Sequence, residues 1–358
     1  MRNIISYDEI PLSDGKQKIY LRMEETDPNF YINLMLKGYR IVDNIYETDK
    51  NTIYVTRRRE EVLRKKDISK SITSEEYYDD LKERIELSLK CNGVEKPWTT
   101  NFSYDDLINH KYQVPFVLKN ELMNNGKEKF LIETEEDYEN LIKACTVLLN
   151  KDIMFYNYFI TGNKRYIIDY NSYLNENFTV QEYVHTPSKF NTSVRLLTSP
   201  SEDLLYGSLK YNDINDKCDN TTLLGVLLHD VYPLSTKSIV SNTAQGGKNI
   251  PIGEKKYNIF EKNLLYRHRV DDYSFFRVVE AAKNVHKEYE DELGILCGFD
   301  FIYDSQKEKW FWLEHHTKPL FPDYARRQGL SYDSYEDKRK AQGQVRATAL
   351  TLTLQKKR

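Results

Sequence analysis

Residues 296–316 read LCGFDFIYDSQKEKWFWLEHH, two apolar runs separated by a short polar segment. Two runs rich in aromatic and branched residues, 296–304 and 309–316, flank the polar segment SQKEK, a pattern typical of a β-hairpin. Asp300 lies inside the first run, and Glu314 lies near the end of the second. If the hairpin closes across SQKEK, the two carboxylates lie side by side on one face of the sheet.

Adjacent carboxylates repel each other unless a cation or a proton lies between them. Carboxylate oxygens are ligands that Mg²⁺ prefers, especially where substrate phosphates complete its octahedron. Asp300 and Glu314 are therefore predicted to bind a metal ion. The alternative is a solvated acidic edge, which is the usual setting of acidic side chains.

Upstream of this hairpin, segments with helical periodicity alternate with segments typical of strands. The predicted helices are 75–91, 134–150 and 275–293, with a helix leading into a strand over 31–42 and a charged helical tail from residue 331. The predicted strands are 51–57, 113–120, 129–134, 165–170, 178–184, 193–199 and 204–211. This alternation indicates an α/β or α+β protein.

Two of these segments allow finer predictions. In the helix over 75–91, Leu81, Ile85, Leu87 and Leu89 are predicted to fall mostly on one side, and Gly93 is its stop signal. Residues 212–255 are polar and typical of loops, apart from 221–228, and 212–236 is predicted to be an insertion beside the cleft.

The composition limits the class of protein. The 358 residues are 40% hydrophobic and 30% charged, as in globular proteins of two or three packed units. The net charge of −3 predicts no nucleic-acid partner, and no apolar run reaches the roughly 18 residues of a membrane span. Four cysteines without a C-x-x-C pair, and an N-terminus without a signal-peptide run, predict reduced thiols in a cytoplasmic protein.

Six short segments follow one another between residues 80 and 325. They are DLKERIELSLKCNGVEKP with Lys82, PFVLKNELMNNGKEKFLIETEEDYENLI with Lys119, VQEYV (180–184), SVRLL with Arg195, SNTAQGG (241–247), and CGFDFIYD with FWLEHHTKP. In this order they resemble the ATP-grasp superfamily, of the type that ligates a carboxylate to an amine or a thiol. Each segment alone is weak evidence, so the resemblance depends on their order and spacing.

The resemblance implies a role for each matching residue. Lys82 and Lys119 are expected to bind ATP phosphates, with Lys65, Lys66 and Lys70 as competitors of Lys82, and the backbone of Gln181, Glu182, Tyr183 and Val184 is expected to hold the adenine edge. Arg195, Lys210, Asn242, Gly246 and Gly247 are expected at the catalytic centre, and Asp300, Glu314 and His316 at the metal. For Arg195 a structural salt bridge is the alternative, for the lysines a solvated surface, and for the glycines a plain loop.

His316 departs from the family pattern, which has Asn at this position. An imidazole is a poor ligand for Mg²⁺ but suits Mn²⁺ or Zn²⁺ better. The third metal ligand therefore stays open: His316 binds a metal, hydrogen-bonds a phosphate or substrate, or is part of a polar strand end.

The resemblance also implies a domain organisation. An N-terminal α/β domain that precedes the ATP-grasp unit is expected over 1–95, and a small lid subdomain over 96–184. A larger subdomain with an antiparallel sheet and the metal site is expected over 185–358.

The function that follows is ATP-dependent ligation of a carboxylate to an amine, through an acyl phosphate, with release of ADP and phosphate. The expected partners are ATP, Mg²⁺ with Mn²⁺ as the alternative, and carboxylate and amine substrates of amino-acid or peptide size. Two other functions stay open: phosphoryl transfer without ligation, and non-catalytic nucleotide binding, which His316 motivates. A homodimer is also left open.

Overall fold

A computed structural model describes most of the chain. The described residues are 3–22, 26–55, 74–121, 128–150, 155–158, 165–168, 170–186, 190–201, 204–213, 222–236, 248–252, 272–317, 319 and 321–357. Within them, helices accompany one parallel sheet and three antiparallel sheets. The predicted mixed α/β fold is therefore confirmed.

The N-terminal unit is a three-stranded parallel sheet with one helix. Its elements are β1 (Lys18–Tyr20), α1 (Pro28–Leu36), β2 (Arg40–Val42) and β3 (Ile53–Tyr54), in the sheet order β2–β1–β3. Helix α1 begins behind Asp27, whose side chain accepts a hydrogen bond from the N–H of Asn29, and Pro28 takes the first helical position. The helix and the strands predicted here are confirmed.

Helix α2 (Ser74–Cys91) packs against the core of the large sheet through Leu81, Ile85 and Leu89. The prediction that the four apolar residues fall mostly on one side is confirmed for these three, and Leu87, which is 64% exposed, is the exception. The three buried residues recur every four positions, whereas Leu87 lies two positions from its neighbours in this set and faces the opposite side. Gly93, at φ +78°, ends the helix as predicted.

A four-stranded antiparallel sheet follows, with the order β4–β9–β5–β6. The elements are β4 (Thr99–Asn101), α3 (Tyr104–Ile108), β5 (Phe116–Asn120), β6 (Lys129–Ile132), α4 (Glu135–Leu149), β7 (Phe155–Tyr158), β8 (Arg165–Ile168), α5 (Tyr170–Asn177) and β9 (Phe178–Glu182). Leu118 and Phe130 belong to the core that this sheet forms with α4. Because strand residues alternate between faces, Lys119 and Lys129 lie on the opposite face.

The segment 222–236 belongs to this same small unit. It contains α6 (Leu223–Val226) and a π-helical turn over Leu227–Val231. Leu224, Leu227 and Leu228 are buried in the core around α4. The described part of the predicted insertion thus completes a hydrophobic core.

A five-stranded antiparallel sheet forms the larger unit, with the order β12–β11–β10–β13–β14. Its elements are β10 (Phe190–Thr198), β11 (Leu204–Asp213), β12 (Lys248–Ile252), α7 (Asp272–Glu288), α8 (Glu290–Leu293), β13 (Cys297–Asp304) and β14 (Lys309–His316). The predicted hairpin is confirmed as β13 and β14. The single helix predicted over 275–293 is two helices, interrupted at Tyr289.

Two C-terminal helices, α9 (Pro322–Arg327) and α10 (Tyr335–Lys356), complete the described chain. Helix α10 shares a core with the N-terminal unit, and the hydroxyl of Thr348 accepts a hydrogen bond of 3.0 Å from the N–H of Ile5. The boundaries predicted at residues 95 and 184 stay a prediction. Among the described helices, none combines the length and apolar character that crossing a membrane requires.

Candidate functional site

The β13–β14 hairpin brings three side chains with metal-ligating atoms together. Asp300 pairs with Glu314 across the two strands, and Gly298 pairs with His316. The ligand atoms of Asp300, Glu314 and His316 all lie within 4.8 Å of one another. The prediction that the two carboxylates are neighbours on one face is therefore confirmed.

Asp300 is buried and is matched by two cations. The guanidinium of Arg195 donates to both carboxylate oxygens, at 2.7 Å from Nε and 2.6 Å from Nη2, and the ammonium of Lys210 lies 3.0 Å from Oδ2. Burial disfavours the charged carboxylate, but Lys210 and Arg195 hold the pKa of Asp300 well below its usual range. The salt-bridge alternative for Arg195 is thus present, and the catalytic roles of Arg195 and Lys210 stay predictions.

His316 lies between the two carboxylates. Its Nε2 is 3.3 Å from Oε1 of Glu314 and 3.5 Å from Oδ2 of Asp300. Burial lowers the pKa of His316, but the two neighbouring carboxylates raise it to about 9. Partial burial would raise the pKa of Glu314, but His316 holds it at about 2. The imidazole is therefore charged near neutral pH and occupies a position that suits a cation.

The donor set fits a divalent metal ion. Two carboxylates and one imidazole are a combination that Mn²⁺ accepts readily, and Mg²⁺ takes the carboxylate oxygens. A metal ion binding to His316 would displace the proton that the carboxylates hold on its ring. The carboxylate of Asp300 already forms ion pairs with Arg195 and Lys210. The oxygens of Glu314 are therefore more available to a metal ion.

The two lysines predicted to bind phosphate lie near one carboxylate of the four-stranded sheet. The ammonium of Lys119, on β5, is 3.0 Å from Oε2 of Glu121, and the hydroxyl of Thr179 donates to Oε1 of Glu121 at 2.8 Å. Burial lowers the pKa of Lys82, on α2, and so do the charges of Lys96 and Lys119, while Glu121 opposes the shift. The structure thus brings Lys82 and Lys119 into one electrostatic cluster.

A further lysine of this cluster, Lys129 on β6, is missing from the sequence prediction. It pairs directly with Lys119, so both side chains lie on the same face of the sheet. Burial and Lys119 lower its pKa, whereas Glu314, Glu121 and Asp300 raise it. Lys129 therefore links the lysine cluster electrostatically to the hairpin. The pairing of segments 113–120 and 129–134 as a hairpin is the signal that points to it.

The segment predicted to hold adenine lies where β9 ends. Gln181 and Glu182 are its last residues, and the N–H of Glu182 donates to the carbonyl of Trp98 at 2.7 Å. The next residues leave the sheet, and the N–H of Val184 has no hydrogen-bond partner within the described ranges. The adenine role of Gln181, Glu182, Tyr183 and Val184 stays a prediction.

This segment is attached to the hairpin that carries the carboxylates. The carbonyl of His185 accepts hydrogen bonds from the N–H of Ser305 at 2.8 Å and from its hydroxyl at 2.7 Å. Lys307, in the same turn, forms an ion pair with Glu182. Asn242, Gly246 and Gly247, predicted at the catalytic centre, lie outside the described residues.

Comparisons with known proteins give only distant likenesses. No family model and no curated protein matches the chain. It is similar to the solved structure of the ATP-grasp ligase PsnB in complex with a minimal precursor, at 9% identity over 75% of this chain, with a TM-score of 0.36. It spans 59% of the length of that PsnB chain.

Two other solved structures show a likeness of the same order. VanG, a D-Ala:D-Ser ligase from Enterococcus faecalis, is 12% identical over 94% of this chain and 73% of its own, with a TM-score of 0.39. The L-amino acid ligase from Bacillus licheniformis is 9% identical over 84% of this chain and 66% of its own, with a TM-score of 0.35. The functional argument therefore depends on the residues of the site.

Proposed function

We propose that this chain is an ATP-grasp ligase. It uses ATP and a divalent cation, Mg²⁺ or Mn²⁺, to activate a carboxylate and join it to an amine of an amino acid or peptide. The observation that carries the proposal is the pairing of Asp300 with Glu314 beside His316, in electrostatic contact with Lys129 of the lysine cluster. A metal-ligand set next to several ammonium groups is the arrangement that a metal–polyphosphate complex requires.

The charges of the cluster support a polyanionic ligand. Lys82, Lys119 and Lys129 interact with one another or with Glu121, which is the acidic side chain that pairs with Lys119. Three ammonium groups against two carboxylates, Glu121 and Asp79, leave a local excess of positive charge. Phosphate oxygens neutralise such an excess through charge-assisted hydrogen bonds.

The reaction has two covalent steps. A carboxylate oxygen of the first substrate attacks the γ-phosphorus of ATP, the bond to the bridging oxygen breaks, and ADP leaves. The amine nitrogen of the second substrate then attacks the acyl carbon and loses a proton to water or to the departing phosphate, as the bond between acyl carbon and phosphate oxygen breaks.

Each group of residues has a part in these steps. Lys82 and Lys119 neutralise phosphate oxygens, and Arg195 and Lys210 orient Asp300 while they stabilise the charge that develops during transfer. Asp300, Glu314 and His316 would hold the cation, which would supply further charge neutralisation at the phosphates. Gln181 to Val184 bind the adenine edge by backbone groups.

The test is a screen for ADP release with ATP and Mg²⁺ or Mn²⁺. Amino acids and short peptides are supplied singly and in pairs, and the products are identified by mass spectrometry. A ligase releases ADP and phosphate in equal amounts and forms an amide only when a carboxylate and an amine are both present.

Two outcomes lead away from this proposal. A stable phosphorylated product without any amine indicates a phosphotransferase. ATP binding without turnover on every substrate pair indicates a non-catalytic nucleotide-binding protein. The cytoplasmic location and a homodimer remain predictions that separate experiments address.

A further inference from the structure

We infer that Lys129 binds the phosphates of the nucleotide together with Lys119, as a two-ammonium clamp, and that the ligand-free protein is less stable because of it. The inference rests on the proposed function for the identity of the ligand. It assigns a binding role to a residue that the sequence resemblance does not include.

The geometry of the small sheet places the two ammonium groups on one surface. Lys119 and Lys129 are direct partners in the antiparallel β5–β6 pair. Directly paired side chains of an antiparallel pair have Cβ atoms about 4.5–5.5 Å apart and point to the same face. The neighbouring pair, Leu118 and Phe130, is buried in the hydrophobic core on the other face. Both lysines therefore point away from that core.

The two lysines differ in whether an acidic side chain pairs with their charge. Lys119 has Glu121 at 3.0 Å, and its side chain is 24% exposed. Lys129 is half-buried and forms no ion pair with any residue in the described part of the chain. Like charges directly opposite each other destabilise a sheet, and a partly buried charge without a partner adds a desolvation cost. The ligand-free protein carries both costs.

Two directly opposed lysines are favourable where an anion binds between their ammonium groups. Glu121 forms its ion pair with Lys119, and this single carboxylate cannot balance both ammonium groups. Glu314, Glu121 and Asp300 raise the pKa of Lys129, and of these Glu314 and Asp300 belong to the large sheet. An anion that reaches from the metal ligands to Lys119 would pass beside Lys129. A chain of phosphates carries the several negative charges that such a ligand requires.

The experiment compares Lys129→Met with the wild-type protein. Methionine retains a long unbranched side chain and removes the charge. Lys143→Met, at an exposed position of α4, is the matched control for loss of one lysine, and Lys129→Arg tests rescue of the charge. Melting temperatures are measured without ligand. Calorimetric titrations use adenosine, inorganic pyrophosphate with Mg²⁺, and a non-hydrolysable ATP analogue with Mg²⁺.

We expect Lys129→Met to melt at a higher temperature than the wild type without ligand. We also expect its affinity for the ATP analogue and for pyrophosphate to fall about 10- to 100-fold, the range for a lost hydrogen bond to a charged group, with adenosine binding unchanged. Lys129→Arg should recover most of the affinity, and Lys143→Met should match the wild type in every measurement.

An unchanged affinity for the ATP analogue in Lys129→Met overturns the inference while leaving the proposed function intact. An equal loss for adenosine also overturns it, because Lys129 would then act on the nucleoside or on the fold. The wild type could instead bind pyrophosphate but not the ATP analogue, with pyrophosphate binding lost in Lys129→Met. That result overturns the proposed function and still supports phosphate binding by Lys129. A wild type that binds neither ligand overturns both.

Discussion

Asp300 and Glu314 carry the same charge in the same cluster but differ in their surroundings. The Asp300 side chain is 6% exposed and is bound by Arg195 and Lys210, whereas the Glu314 side chain is 54% exposed. Removal of Asp300 leaves two cations without their carboxylate in a buried setting. Removal of the Glu314 charge leaves an uncharged side chain that is still accessible to solvent. The two positions therefore separate stability from metal binding.

Asp300→Ala is expected to lower the free energy of unfolding by about 3–5 kcal/mol, the range for breaking a buried ion pair on one side. Glu314→Gln is expected to lower it by about 1 kcal/mol or less, because the ion pair with His316 that it removes is accessible to solvent, and to abolish metal-dependent ADP release. Urea denaturation and the ADP assay check the two effects, with Glu83→Gln, at an exposed position of α2, as the control. Equal unfolding midpoints for Asp300→Ala and the wild type would contradict the structural role of Asp300.

At the scale of elements, the hairpin shows what the sequence can predict and what it leaves undetermined. Its two strands and the pairing of Asp300 with Glu314 follow from apolar runs and a polar turn. The register shift after Asp300 does not follow: Phe301 pairs with Trp312, which leaves Leu313 as the extra residue of a bulge. Trp312 is buried in the core, and Glu314 is on the cleft side. A regular strand would put both on one face.

Other features depend on strand register or on tertiary packing, which periodicity does not encode. Lys129 resembles any surface lysine until its pairing with Lys119 is known. The burial of Leu224 and Leu228 beside α4 likewise depends on tertiary packing of a short segment within a polar region. By contrast, Thr134 can be predicted as the N-cap of α4, because a capping signal lies within a few residues of the helix start.

Helix α7 is linked to the large sheet through His286, and this link gives a pH dependence. The ring is buried, with Nδ1 2.8 Å from the hydroxyl of Thr198 and Nε2 2.8 Å from the carbonyl of Gly294. A carbonyl only accepts, so Nε2 carries the proton and Nδ1 accepts from Thr198. Burial lowers the pKa of His286 to about 4, and the ring is neutral in the folded protein.

Because the unfolded chain takes up this proton near pH 6.5 and the folded protein only near pH 4, the contribution of neutral His286 is complete above pH 6.5. It is lost as the pH falls towards 4, at a cost of about 3 kcal/mol over the whole window. Urea unfolding between pH 7.5 and 5 should show a smaller loss of stability in His286→Gln than in the wild type. His315 is present in both proteins, so the difference isolates His286. Parallel pH profiles would exclude this role.

At the scale of the whole molecule, the two ends of the described chain meet in one core. Residues of the N-terminal unit, the end of β10 and helix α10 contribute to it, among them Phe30, Leu197 and Leu350. The sequence predicts a charged helical tail from residue 331, but positions 347–354 are buried without interruption. A helix buried on all sides lacks the apolar stripe that marks a surface helix, so its docking site cannot be predicted from periodicity.

Gly343 is the glycine of α10, and it lies directly against Tyr7 and Asp27 of the N-terminal unit. A Cβ at this position would lie 2.8 Å from the hydroxyl of Tyr7 and 2.9 Å from Cβ of Asp27. Asp27 is also the cap of α1 and accepts a hydrogen bond from Tyr7, so neither neighbour moves without loss of another contact.

Gly343→Ala therefore tests whether α10 holds the N-terminal unit in place. In an exposed helix interior the change would stabilise by about 1 kcal/mol, because alanine has the higher helix propensity. Here we expect a decrease in the free energy of unfolding of about 1–3 kcal/mol, the usual cost of overpacking. Lys340→Ala, exposed on the same helix, is the control for a change to alanine and should be close to neutral. A higher unfolding midpoint for Gly343→Ala would mean that the two ends of the chain do not depend on this close contact.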